Sequence, residues 1–160
     1  MMGKKRSKGV TIFAWLMIIT NAYALLSSFK FKANFFDVYR SLPVAFNVTL
    51  IAYSIISAAI AVIAGTGILK LKEKMRVLGV AINAIDLFFG LAVLSVTLND
   101  IREYTYSIAA SVSATDPSIP VYALASASFY ATVLLMLFAY GFNLLLIFFF
   151  TRPKVKEQFK

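Results

Sequence analysis

The sequence predicts an all-α integral membrane protein, a single membrane domain over residues 1–160 with four transmembrane helices in an antiparallel bundle. Hydrophobic residues make up 61% of the 160 positions and charged residues only 14%, whereas a soluble domain carries about 25% charged residues. Four apolar runs each reach the roughly 20 residues that a helix needs to cross a hydrocarbon core of about 30 Å. Because these runs are continuous and do not alternate with period two, helices are favoured over a β-barrel.

The four apolar runs define the predicted transmembrane segments, which are residues 10–28, 44–69, 77–98 and 121–150. The fourth run is longer than the hydrocarbon core requires, which predicts strong tilt or an extension beyond the lipid. In the connection between the first two runs, one apolar stripe at helical spacing predicts a short outer helix lying in the interface: Phe35, Phe36, Tyr39 and Leu42.

The ends of the third and fourth helices carry further signals. Apolar residues continue at helical spacing after the third run, so this helix is expected to extend beyond the lipid: Ile101, Tyr104 and Ile108. Thr115 or Asp116, followed by Pro117, predicts the cap and first turn of the fourth helix. Pro153 predicts the end of that helix, because the residue before a proline avoids the α region.

The distribution of positive charge predicts the orientation. Twelve of the sixteen Lys and Arg residues lie in the segments 1–9, 70–76 and 151–160, which share one side if four helices cross. The positive-inside rule then places both termini in the cytoplasm and the protein in the inner (cytoplasmic) cell membrane. Because topology accounts for the net charge of +9, no nucleic-acid partner is expected. The residues predicted to contact lipid headgroups are Lys4, Lys5, Arg6, Lys70, Lys72, Lys74, Arg76, Arg152, Lys154 and Lys156.

The first apolar run has an alternative interpretation. The sequence KKRSK, then VTIFAWLMIIT, then NAYA also resembles a signal peptide with an A-x-A site at Ala22 and Ala24. The apolar run continues to Ser28, which favours retention as the first transmembrane helix. The other three helices keep the same orientation under either interpretation.

Cysteine and histidine are both absent from the chain. Thiolate chemistry, zinc sites, iron–sulfur sites and most haem ligation therefore drop out, as does the commonest general base. We expect neither an enzymatic activity nor a cofactor or metal.

Asp86 is the residue most suggestive of function, because a carboxylate inside a predicted membrane helix requires a partner or a proton. It lies on a polar and glycine-lined face with Gly79, Asn83 and Gly90, at spacings of four, three and four residues. Asn21 and Asn143 on other helices lie at similar depths within about a turn, which predicts an intramembrane polar seam. No Lys or Arg lies at that depth, so hydrogen bonds to amides or hydroxyls are expected. The seam is either a proton or cation site or a clamp between helices.

The second helix carries faces of small residues that let helices approach closely. One face has spacings of four, three and four, and an overlapping row has a spacing of four: Ser54, Ala58, Ala61, Gly65, and Ser57, Ala61, Gly65. These residues, with Gly79 and Gly90, are predicted to serve helix packing. Gly65 and Gly67 are expected to let the second helix pack on the third across the intervening turn.

Three stretches together resemble small four-helix integral membrane proteins of bacteria and archaea from uncharacterised families: KKRSKGVTIFAWLMI, GTGILKLKEKMRVLGVAINAI and FFFTRPKVKEQFK. The resemblance implies the four-helix architecture and brings no catalytic residues.

Two functional hypotheses follow from the sequence. The first is a non-enzymatic structural or accessory subunit that assembles in the bilayer with itself or with other membrane subunits. The second is a small oligomeric channel or proton- or cation-coupled transporter with Asp86 and Asn83 on its pathway.

Overall fold

The computed structural model describes residues 7–30 and 42–159, with the side chains of residues 28–30 not described. Four long helices occupy most of these residues: α1 (Lys8–Lys30), α2 (Val44–Leu69), α3 (Glu73–Thr115) and α4 (Val121–Thr151). A short helix α5 (Pro153–Lys156) and a 3-10 turn (Glu157–Phe159) follow α4. All four long helices are long and apolar enough to cross a membrane. The all-helical class with four candidate spans is therefore confirmed for the described residues, among which no strand occurs.

The predicted limits of the second helix are those of α2, and the other helices run past their predicted limits. The largest difference is in α3, where 43 residues replace the predicted 22-residue segment 77–98. At about 1.5 Å per residue α3 is about 65 Å long, roughly twice the thickness of a hydrocarbon core. One row of buried residues explains its length, because the row continues along α4 past residue 98: Leu94, Thr97, Ile101, Thr105 and Ala109.

The predicted cap and first turn of α4 at Thr115 or Asp116 with Pro117 are wrong, whereas the predicted limit at residue 121 is confirmed. Asp116 caps the end of α3, and α4 begins at Val121, immediately after Pro120. The side chain of Asp116 instead closes a turn, since its Oδ1 accepts hydrogen bonds from the backbone N–H of Ser118 at 3.1 Å and from its hydroxyl at 2.6 Å. Asp and Pro are typical of such turns as well as of helix starts. The predicted end of α4 is confirmed, because Arg152 before Pro153 adopts an extended backbone conformation.

The helices pack in chain order, with α1 on α2, α2 on α3 and α3 on α4. The buried core lies towards the beginning of α1 and the end of α4, and it includes the tail that follows α4. Its fully buried members come from α1, α2 and α4: Val10, Ala14, Met17, Ala61, Ala64, Ile68, Leu146 and Phe150. Val155 and Phe159 of the tail complete this cluster.

A tight turn joins α2 to α3 through Lys70, Leu71 and Lys72. The amide of Lys72 donates to the carbonyl of Gly67 and that of Leu71 donates to Ile68, at 3.1 and 2.9 Å. This pattern is a Schellman motif, in which the residue after the C-cap takes the left-handed conformation. Leu71 occupies that position with φ of 51°.

Several contacts join the beginning of α1, the beginning of α3 and the tail. The Ser7 amide donates to Oε1 of Gln158 at 2.9 Å, and Nη1 of Arg76 donates to the carbonyl of Phe150 at 2.8 Å. Arg76 also forms an ion pair with Glu73 and lies 5.9 Å from the centre of the Phe159 ring. We call this end of the molecule the basic end, because eight basic residues lie there: Lys8, Lys70, Lys72, Lys74, Arg76, Arg152, Lys154 and Lys156.

Candidate functional site

The carboxylate of Asp86 on α3 is held by two hydroxyl groups of α2. The hydroxyls of Tyr53 and Ser57 both donate a hydrogen bond to Oδ1 of Asp86, each at a distance of 2.6 Å. Tyr53 and Ser57 are four residues apart, so one turn of α2 presents both donors on the same face. We call these three residues the carboxylate clamp.

The surroundings of the carboxylate clamp fix its geometry. Ser57 is buried, and Asp86 and Tyr53 are half-buried. The Tyr53 ring packs on the ring of Phe89, one turn along α3 from Asp86, with centroids 4.4 Å apart. This aromatic contact positions the phenol so that its hydroxyl reaches the carboxylate. The clamp therefore links α2 and α3 by two hydrogen bonds and one ring contact.

Two of the three asparagines predicted to share a seam with Asp86 make other contacts. Asn21 donates to the carbonyl of Met17 at 2.8 Å, and Asn83 donates to the carbonyl of Gly79 at 2.6 Å. Asn83 is buried and also reaches the Met17 sulfur at 4.0 Å, whereas Asn143 is half-buried on α4. Within residues 7–30 and 42–159, none of the three hydrogen-bonds to Asp86.

The donors to Asp86 are thus hydroxyls, in keeping with the expectation of amide or hydroxyl partners. They belong to residues that are not part of the predicted seam. A count along the α2–α3 hairpin would have found Ser57. It lies as many residues before the turn at Leu71–Lys72 as Asp86 lies after it, so the two residues share a depth. Tyr53 follows from Ser57, since it lies one turn away on the same face.

Chemically, the carboxylate clamp satisfies one carboxyl oxygen inside an apolar bundle. An unpaired polar group there would cost several kcal/mol, and two short hydroxyl donors offset that cost. Asp86 makes no ion pair within the described part of the chain. Nor does that part contain three acidic side chains grouped closely enough to hold a metal ion.

Most residues of the predicted small-residue faces are buried, but one is exposed. Ser57, Ala58, Ala61 and Gly65 are buried, whereas Ser54 is exposed and its hydroxyl donates to the carbonyl of Ile51 on its own helix. Gly65 faces α1, where a Cβ would lie 2.6 Å from Cγ1 of Ile18. Gly67, in contrast, faces Met75 of α3. The expectation that both glycines let α2 pack on α3 is therefore confirmed for Gly67 and wrong for Gly65.

The two glycines of the Asp86 face are both closely packed. A Cβ on Gly79 would lie 3.2 Å from Ile68 and 3.3 Å from Met17. Gly90 lies under the ring of Tyr140 on α4, and the Tyr140 hydroxyl donates to its carbonyl at 3.0 Å. Gly90 therefore allows close contact between α3 and α4.

The residues predicted to contact headgroups fall into three sets. Lys70, Lys72, Lys74, Arg152, Lys154 and Lys156 are exposed at the basic end. Arg76 is buried, with 6% exposure, because Glu73 one turn earlier and the carbonyl of Phe150 satisfy its guanidinium. Its contacts are thus with the protein. Lys4, Lys5 and Arg6 lie outside the described residues, as does most of the predicted outer helix at Phe35–Leu42.

Comparison with known proteins found no matching family model, no matching curated protein and no matching solved structure. The resemblance to small four-helix membrane proteins therefore stays a prediction from the sequence.

Proposed function

We propose that the protein is a non-enzymatic structural or accessory subunit of a homo- or hetero-oligomeric membrane assembly. In this proposal the four long helices cross the inner (cytoplasmic) cell membrane as an antiparallel bundle. Both termini lie in the cytoplasm, because the positive-inside rule assigns the basic end to that side. The partners are the lipid bilayer and either further copies of the chain or other membrane subunits.

The observation that carries this proposal is the open position of Gly141 on α4. Of the six glycines among the described residues, five have a neighbouring atom within 4 Å of the place where a Cβ would lie, and Gly141 has none. A glycine within a helix costs about 0.5–1 kcal/mol relative to alanine. Packing within the described chain does not account for that cost, whereas close approach of a helix from another subunit would.

Gly141 lies in an exposed stripe whose spacing suits such a contact. The stripe, here called the α4 stripe, has spacings of four, three, four and three residues: Leu134, Phe138, Gly141, Leu145 and Phe148. The exposed fractions of its four side chains are 70%, 76%, 45% and 60%, in that order. Alternating steps of four and three place knobs and holes along one helical seam, and a glycine in the seam lets two backbones approach.

The carboxylate clamp has a structural role in this proposal. Interhelical hydrogen bonds within membranes contribute about 0.6 kcal/mol on average. Two such bonds on one carboxylate hold the α2–α3 hairpin in register, so that the packed bundle presents the α4 stripe as a rigid surface.

Site-specific photo-crosslinking tests the proposal directly in the native membrane. The chain contains no cysteine, so Leu145→Cys provides one attachment point for a photo-reactive label on the α4 stripe. Leu144→Cys is the matched control, because Leu144 is also exposed, is the same residue type and lies at the same depth. It points about 100° away around the helix.

The proposal expects one discrete protein adduct from the label at position 145 and none, or far less, from position 144. Identification of the adduct separates a second copy of this chain from a different subunit. Labels that react only with lipid at both positions would contradict the proposal.

The second candidate is an oligomeric channel or proton- or cation-coupled transporter that uses Asp86. The favouring observation is that both hydroxyls bind Oδ1 of Asp86, which leaves the second oxygen available to exchange a proton. A pathway would run between protomers. Purified protein in liposomes under a pH gradient would then show a flux that Asp86→Asn abolishes. An equal flux in both proteins would exclude this candidate.

A further inference from the structure

A cleft lies between α3 and α4 at the end of the molecule far from the basic end. Its volume is about 390 Å³, within the range of sites for small ligands. The residues that matter for its chemistry are Asn99, Arg102, Tyr106, Tyr122, Phe129 and Tyr130. None of them belongs to the carboxylate clamp or to the α4 stripe. Tyr130 lies one turn before the stripe on α4.

Arg102 gives the cleft a positive charge. Its side chain is exposed, and its guanidinium makes no ion pair with any acidic side chain of residues 7–30 and 42–159. Glu103, the next residue, points about 100° away around the helix; it lines a neighbouring open recess that shares Arg102 with this cleft, and it does not line the cleft itself. A guanidinium presents five N–H donors in a planar fork, which matches a phosphate group in charge and in geometry.

Tyrosines and apolar residues complete the walls. Tyr106, Tyr122 and Tyr130 are more than half exposed, and each offers a hydroxyl beside an amphipathic ring. Tyr122 also lies in the first turn of α4, where backbone N–H groups lack intrahelical acceptors and the helix dipole favours negative charge. Towards the middle of the bundle, the cleft is lined by the apolar Leu98 and Phe129 beside the polar Asn99 and Tyr130. The cleft is therefore polar and positive at its outer part and partly apolar at its inner part.

The position of the cleft along the helices matches the boundary of a bilayer. Leu98 lies 21 residues from Val77, or about 32 Å along α3 at 1.5 Å per residue. That distance is close to the thickness of a hydrocarbon core of about 30 Å. Arg102 lies one turn farther out, at the level of lipid headgroups, while Tyr130 lies about 30 Å from Phe150 along α4. Leu98 and Phe129 thus lie at the edge of the hydrocarbon core, and the guanidinium lies within the headgroup layer.

We propose that this cleft is a binding site for a phosphate-bearing amphiphile, with the phosphate on Arg102 and an apolar chain along Leu98 and Phe129. The outer tyrosines donate hydrogen bonds to the phosphate or to its substituent. The membrane phospholipid is the source of this chemistry that the depth of the cleft favours. The site goes beyond the proposed subunit role, and it holds whether the protein assembles or not.

The test is native mass spectrometry of delipidated protein titrated with short-chain phosphatidylglycerol. Diacylglycerol of the same chain length and inorganic phosphate serve as the two part-ligands. The variant is Arg102→Gln, and the matched control is Lys8→Gln, which removes an exposed cation at the start of α1 that is not among the residues predicted to contact headgroups. Arg102→Lys retains the charge and tests the guanidinium fork.

The expected result is a 1:1 complex with phosphatidylglycerol whose affinity falls at least about tenfold in Arg102→Gln, the loss expected for a charge-assisted hydrogen bond. Lys8→Gln keeps wild-type affinity, Arg102→Lys is intermediate, and both part-ligands bind more weakly than the whole amphiphile. Equal binding of phosphatidylglycerol by wild type and Arg102→Gln would overturn the proposal. So would inorganic phosphate or diacylglycerol binding as tightly as the phospholipid. An unchanged circular dichroism spectrum and thermal transition in Arg102→Gln establish that a loss of affinity is not a loss of fold.

Discussion

The hydroxyl of Tyr53 and the carboxylate of Asp86 lie 2.6 Å apart across the interface of α2 and α3, and Ser57 donates to the same oxygen at the same distance. A carboxyl group in the middle of an apolar bundle is therefore bound by neutral donors from a neighbouring helix. This arrangement explains how Asp86 is accommodated without a cation.

Removing the donors should weaken the bundle. We expect Tyr53→Phe and Ser57→Ala each to lower the free energy of unfolding by about 1 kcal/mol, because each change deletes one hydrogen bond to the carboxylate. Asp86→Asn keeps an acceptor oxygen and should cost less. Equilibrium unfolding in mixed micelles measures these differences, with Tyr23→Phe as the control, since Tyr23 is 72% exposed. Equal stability of Tyr53→Phe and Tyr23→Phe would argue against the clamp.

The close approach of α3 and α4 depends on Gly90. Replacing glycine by alanine within a helix ordinarily stabilises it by about 0.5–1 kcal/mol. At Gly90 the added Cβ would lie 2.5 Å from Cε1 of Tyr140, so the gain should be cancelled or reversed. Gly141→Ala is the matched comparison, because no atom of the described residues lies within 4 Å of the place where its Cβ would be. We expect thermal unfolding of monomeric protein to show Gly141→Ala more stable than Gly90→Ala, and the reverse order would refute this packing.

The tail after α4 should be held to the bundle by Arg76. Arg76→Gln removes the ion pair with Glu73 and the cation over the Phe159 ring. Loss of the charge-assisted contacts of this buried side chain should destabilise tail docking by about 1.5–3 kcal/mol. The tail would then show faster amide exchange and faster protease cleavage between Lys154 and Lys156. Lys74→Gln is the control, since it removes the same charge from an exposed position on α3, and it should leave cleavage unchanged.

The stability of the turn between α3 and α4 should depend on pH through Asp116. Two hydrogen bonds from Ser118, one from its hydroxyl and one from its amide, lower the pKa of Asp116 below its ordinary value. Since the ionised form is favoured in the folded turn, its contribution is present above the ordinary pKa and is lost as the pH falls through the lowered one. Titration of the Asp116 carboxyl by NMR should show a higher pKa in Ser118→Ala than in wild type. An unchanged titration in that variant would exclude the hydroxyl as a cause.

The sequence was sufficient for the four helices because their signal is long and local. Apolar runs of 20 residues or more bounded by basic clusters identify a helix without reference to its neighbours. The sequence predicts the continuation of α3 to Thr115 only in part. Ile101 and Ile108 repeat at helical spacing, but the thickness of the membrane places the predicted end of the transmembrane segment at residue 98. The row from Leu94 to Ala109 lengthens α3 by packing on α4, which a single segment does not reveal.

The sequence predicts only the part of the candidate site that depends on local signals. Asp86 is conspicuous as a lone carboxylate among apolar residues, so its need for neutral partners follows from the sequence. Its actual partners depend on helix rotation, which brings Tyr53 and Ser57 to it and turns Asn83 towards Met17. The basic cluster around Arg76 predicts a contact with lipid headgroups. The burial of Arg76 depends on Phe150 and Phe159, which lie more than 70 residues away along the chain.

The most direct test of the proposed subunit role is the mass of the particle extracted intact from native membranes, with every chain in it identified. We predict a particle that contains more than one chain, either several copies of this 17.7 kDa protein or this protein with other subunits. Gly141→Leu should reduce that particle to the single chain, and Leu144→Phe, which changes an exposed residue beside the stripe, should leave it intact. A single wild-type chain that carries only lipid would contradict the account.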